Sequence, residues 1–152
     1  MYKNSLTHYI AKYMVDILFF GGIICILGIP YITEWLFKMD IIYIGRNVYT
    51  GFMAVLFMSG ICAEYLIFNL RTMFKTLIGK NPFVPENVNC LRKCAVSCAV
   101  IALIYFVKLF FMFTIATIII VIMFVIGCLF CLTLKDLFKQ AIAFKEENEL
   151  TI

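Results

Sequence analysis

The chain has 152 residues, 64% of them hydrophobic and 14% charged, with a formal net charge of +4. Soluble domains average about 45–50% apolar and about a quarter charged, so a water-surrounded core is excluded and a mean hydropathy of +1.03 points to lipid as the solvent. A net charge this small leaves no electrostatic footprint for direct nucleic-acid binding.

The N-terminal segment carries His8, the only histidine, with no second histidine or acidic cluster beside it and so no catalytic role. The first uncharged run, Ile17 to Thr33, predicts a span over about residues 13–35. No small-residue cleavage site follows, so this is read as a span and not as a signal peptide. Asp16 lies at its edge, one turn beyond Lys12, and Pro30 is expected to end or kink the helix. Packing, not the hydrophobic effect, joins helices in lipid. Gly21, Cys25 and Gly28, at i, i+4 and i+7, therefore mark the expected contact face. Tyr31, Trp35, Tyr43 and Tyr49 fit an interfacial aromatic belt.

The second span, about 48–70, comes from the run Asn47 to Ala63 and contains Glu64. Its helix continues past the membrane. Leu66, Leu70, Met73, Phe74 and Leu77 keep a helical stripe while Arg71, Lys75 and Lys80 appear between them, and Gly79 is a C-terminal cap. The loop 71–89 includes the strongest turn signal in the chain, Asn81 to Asn87, where Pro85 followed by Glu86 suits the first turn of the next helix.

From Cys94 to Leu134 only Lys108 interrupts the apolar sequence; a straight helix of these 41 residues would be about 60 Å long, twice the hydrocarbon thickness. The segment must fold back, giving spans at about 90–110 and 115–137 with a turn around Phe111–Thr114. Lys108 is then expected at the outer interface, its stem buried and its ammonium reaching headgroups. Cys94, Cys98 and Ala102, and Gly127 and Cys131, are the expected contact residues of these two helices. In the tail, 138–152, Leu134, Leu137, Phe138, Ala141 and Ile142 continue one stripe, with Lys135, Lys139 and Lys145 outside it, before an acidic end at Glu146, Glu147 and Glu149.

Assigned to alternate sides of these spans, ten Lys and Arg residues fall with the termini and the 71–89 loop, and three (Lys38, Arg46, Lys108) fall opposite. The positive-inside rule puts the larger set in the cytoplasm. The expected fold is an all-α, single-domain integral membrane four-helix bundle over residues 1–152, N-in and C-in, with helical cytoplasmic extensions.

Leu70-Arg71, Gly79 to Phe83, Glu86-Asn87, Leu91-Arg92 and the ending Phe138 to Ala141 and Glu146 to Ile152 together resemble the bacterial membrane family called domain of unknown function 2975. That family has no established activity. The resemblance implies a cell-membrane protein and regulation through a short helix-turn-helix transcription regulator, and assigns no residue a role.

Two carboxylates are the intramembrane candidates, Glu64 and Asp16. A charge at the centre of a span costs about 2.5–3.5 kcal/mol on insertion scales, so such a group faces the bundle or a wet cavity. The functional reading is a proton- or cation-responsive pair; the plainer one pairs Asp16 with Lys12 and bonds Glu64 to a neighbouring helix. Cys90, Cys94 and Cys98 share a face and Cys128 and Cys131 have chelating spacing. No outer loop contains a cysteine, and Cys90, Cys94, Cys128 and Cys131 fall on inner, reducing halves of helices, so the cysteines are read as packing residues, with no metal or cofactor.

The sequence is thus read as a non-enzymatic regulatory membrane protein. Phe83, Glu86, Asn87, Leu137, Phe138 and Ile142 are its partner-binding candidates, for a small DNA-binding regulator, with self-association open as well. The alternative, from another class, is a small transport, channel or immunity protein handling an ion or a membrane-active peptide, in which Glu64 and Asp16 matter most.

Overall fold

The computed structural model describes residues 6–38, 46–79 and 83–150. They form four helices, α1 (Leu6–Lys38), α2 (Arg46–Gly79), α3 (Pro85–Phe111) and α4 (Ile115–Leu150), with no strand among the described residues. Each contains a stretch long and apolar enough to cross a membrane: His8–Trp35, Tyr49–Ile78, Pro85–Phe111 and Ile115–Asn148. Tyr43 of the aromatic set, Asn81 and Pro82 of the loop, and Thr151–Ile152 lie outside the described residues.

Helix ends follow local chemistry. Val84 is extended (φ −124°, ψ 144°), as the residue before a proline must be, and Pro85 opens α3 without losing a needed donor. The Asn87 N–H donates back to the Val84 carbonyl at 3.0 Å. At the far end Met112 leaves the helix (φ −143°, ψ 93°) while its N–H still donates to Lys108 O at 2.8 Å. The Thr114 carbonyl then accepts the N–H groups of Thr117 and Ile118, at 2.9 and 3.4 Å, to start α4. The reversal between α3 and α4 is therefore tight and falls inside the stretch assigned to it from helix length.

Close packing follows chain order: α1 lies on α2, α2 on α3 and α3 on α4, and no other helix pair approaches closely among the described residues. Along α1–α2 the antiparallel register sets Asp16 against Arg71, Gly22 against Glu64, and Ile26 and Ile29 against Gly60. Between α2 and α3, Ser59 meets Tyr105, the Leu66 carbonyl meets the Cys94 thiol at 3.8 Å, and Thr76 meets Asn87. Cys98 packs on Gly127 between α3 and α4. Flanked on both sides, α3 holds the core: Cys90, Leu91, Cys94, Ala95, Cys98, Ile101 and Ala102 are buried.

Three expectations are corrected or narrowed. The contact face of α1 is one residue away from the predicted one. Cys25 is exposed and nothing lies within 4 Å of where a Gly21 side chain would start, whereas Gly22, Ile26 and Ile29 make the contact. The stripe that is used has one small residue on α1, Gly22, which accommodates the Glu64 carboxyl, while the close approach at Ile26 and Ile29 is allowed by Gly60 of α2. Of the two outcomes expected at Pro30, ending the helix is excluded: α1 continues to Lys38 with the Thr33 hydroxyl on the carbonyls of Ile29 and Pro30 at 2.7 and 3.0 Å. Finally, the Lys108 ammonium is engaged on the bundle itself. Its ammonium lies over the rings of Phe52 (5.2 Å) and Tyr105 (5.6 Å) and donates to Thr117 Oγ1 at 3.3 Å, because those π faces stabilise a cation where lipid does not.

Candidate functional site

Two places gather the polar chemistry of an otherwise apolar chain. The first is the α1–α2 seam. Arg71 Nε donates to Asp16 Oδ1 at 2.5 Å, and the guanidinium lies 5.1 Å from the Phe19 ring centroid and 5.6 Å from that of Phe20. Asp16 is thus paired across helices with Arg71 and not along its own helix with Lys12. The planar guanidinium both bonds a carboxylate and stacks on rings, which an ammonium does less well.

Glu64 lies two turns deeper along the same seam, about 10 Å from Arg71 by helical rise. A Cβ built on Gly22 would overlap its carboxyl group, so the missing side chain of Gly22 makes the space that Glu64 occupies. Its Oε1 is buried and has no hydrogen-bond partner, so Glu64 is packed on its neighbour helix and not bonded to it as expected. Asp16 and Glu64 share a seam but not a site.

The second place is the end of the bundle that carries the 83–87 segment and the last turns of α4. The Phe83 ring packs on Phe138, centroids 5.7 Å apart, so loop and tail cover one another there. Asn87 is fully buried, its side-chain oxygen accepting from the Thr76 hydroxyl at 2.6 Å. It fastens the start of α3 to the end of α2 and is not available to a partner, which corrects its place among the binding candidates. Glu86 is exposed, Phe138 and Ile142 are half-buried, and Phe83 keeps 40% of its surface. Leu137 is 55% exposed. Phe144, overlooked in the sequence, is 65% exposed and lies seven residues on from Leu137, on the same helical face.

Cys94 donates a weak hydrogen bond to Leu66 O at 3.8 Å, and Cys98 packs against Gly127 between α3 and α4. Among the described residues no three histidine, cysteine or acidic side chains converge as a metal ion requires. His8 is half-buried in the first turn of α1.

The family model described as "Protein of unknown function (DUF2975)" matches residues 8–152, which takes in all four helices, the loop and the tail. No curated protein and no solved structure matches the chain. With the match running over nearly its whole length, the chain belongs to the DUF2975 family.

Proposed function

We propose that this is a non-enzymatic regulatory protein of the cell membrane whose cytoplasmic end binds a protein partner, a small helix-turn-helix transcription regulator being the class the resemblance implies. The observation that carries the reading is the length of α4. It remains helical to Leu150, sixteen residues or about 24 Å beyond Leu134, where the apolar run stops. Leu137 and Phe144 stand exposed on that extension, among lysines and glutamates that belong in water. Apolar side chains beyond the lipid, on a charged helix, suit a helix-on-helix contact with a soluble partner. The ten-to-three distribution of basic residues supports a cytoplasmic location for this end and for both termini.

Affinity purification from membranes tests the proposal with three forms: full-length protein, a truncation after Lys139, and L137E/F144E. The truncation keeps all four apolar runs and is expected to insert normally. Full-length protein should retain a helix-turn-helix regulator and the other two should lose it. Full retention by both would remove the tail from binding.

The buried, partnerless Oε1 of Glu64 favours one second reading, ion or peptide handling. That reading replaces the first if no form captures a regulator and Glu64→Gln abolishes a proton- or peptide-dependent flux in vesicles.

A further inference from the structure

At the end of the bundle opposite the loop and tail, the structure contains a cavity of about 490 Å³ between α2 and α3. Gly51, Phe52, Val55, Val107 and Phe111 give it apolar walls, and Lys108 supplies one ammonium. The volume lies within the roughly 300–1,000 Å³ of small-molecule sites, which are likewise mostly apolar with a few fixed polar groups.

Lys108 is what makes the space selective. An ammonium has three N–H donors, and one is spent on Thr117 Oγ1 at the long distance of 3.3 Å. The rings of Phe52 and Tyr105 offset part of the desolvation of the charge but accept no conventional hydrogen bond. None of the ion pairs among the described residues includes Lys108. A cation with unused donors, lining an apolar hollow, matches a molecule with an anionic head and a hydrocarbon chain. Water would satisfy the ammonium but not the walls, and a plain alkane the reverse.

We propose that this cavity binds one acyl chain carrying an anionic head, with Lys108 as the counter-ion. The head is a carboxylate if the ligand is a free fatty acid and a phosphate if it is an anionic phospholipid. The site is independent of the partner-binding reading and stands or falls without it.

Native mass spectrometry of the full-length protein, released from neutral detergent, reads the stoichiometry. The probes are oleate, oleyl alcohol, dioleoyl phosphatidylglycerol and dioleoyl phosphatidylcholine, each added singly. One-to-one adducts are expected with oleate or phosphatidylglycerol, and whichever binds more tightly identifies the source. The alcohol and phosphatidylcholine should bind about ten-fold or more weakly, since a charge-assisted hydrogen bond is lost or a competing cation is added. Lys108→Met should remove that preference while retaining the apolar walls. Gly51→Leu should block the adducts by filling the hollow; nothing lies within 4 Å of the added Cβ, so the helix accommodates it. Unchanged helix content by circular dichroism shows that each variant is folded. The proposal is overturned if the wild type forms no one-to-one adduct, or if oleyl alcohol binds as well as oleate. Unaltered binding in either folded variant overturns it too.

Discussion

A guanidinium at the edge of an apolar slab has few ways to be satisfied, and Arg71 uses two at once, the Asp16 carboxylate and the faces of Phe19 and Phe20. The pair is partly buried, with side-chain exposures of 32% and 21%, between the regime where ion pairs contribute little and that where a broken pair is costly. Asp16→Asn should accordingly lower stability in detergent by about 1–3 kcal/mol, and far less in an Arg71→Met background, because the lost partner is the same. Equal effects in both backgrounds would show that the pair is not coupled. That Asp16 matters was legible in the sequence, as an acid in an apolar run. Its partner was not: Lys12 is one turn away along the chain, whereas Arg71 becomes a neighbour only when α1 and α2 lie antiparallel in this register. Glu64 shows the same limit, since the glycine that makes room for it is on another helix. Gly22→Ala should be mildly destabilising, because the atoms its Cβ meets are the end of the flexible Glu64 side chain and can turn aside. Gly21→Ala should be neutral or stabilising by up to about 1 kcal/mol from helix propensity, and the cost of Gly22→Ala should be removed by Glu64→Ala. Thermal melts of the four proteins check this, and a melt in which Gly21→Ala is the harmful change would return the contact to the predicted face.

The helices themselves were readable because runs such as Ile17 to Thr33 leave the chain no other structure in lipid, where every backbone polar group must bond within its own segment. Which face each presents was not, since a helix apolar all round carries no amphipathic signature. The α3–α4 contact is the exception: Cys98 and Gly127 were picked out as small residues and do meet. The helical extensions were legible for the opposite reason, because charges between the apolar residues restore a 3.6-residue period. That period did not separate the covered side of α4 from the exposed one. Phe138, paired with Phe83, belongs to the first, and Leu137 and Phe144 belong to the second. Phe138→Ala should therefore loosen the loop, at a cost of about 0.5–1.5 kcal/mol for the aromatic pair beyond area burial. Hydrogen exchange should quicken at the backbone of residues 83–88 and stay unchanged in the spans, whereas Phe144→Ala should leave both unchanged. Protection at 83–88 that ignores the loss of the ring would mean that the ring contact does not hold the loop.

At the scale of the molecule, chain-order packing among the described residues leaves α1 touching one neighbour and α3 two, so burial there is concentrated at the α3 interfaces and α1 is held mainly along one polar-dotted seam. The proposed regulatory reading requires that the 83–87 loop, the α4 extension and the N-terminus all face the cytoplasm, and the positive-inside count is its support. Impermeant thiol labelling in intact cells tests this most directly. In a background lacking the seven native cysteines, single replacements Lys3→Cys, Val84→Cys and Asn148→Cys should stay unlabelled until the cells are opened, and Asp40→Cys and Gly45→Cys should label at once. Labelling of Val84→Cys from outside would contradict the account, since it would place the loop and the proposed partner-binding end on the wrong side of the membrane.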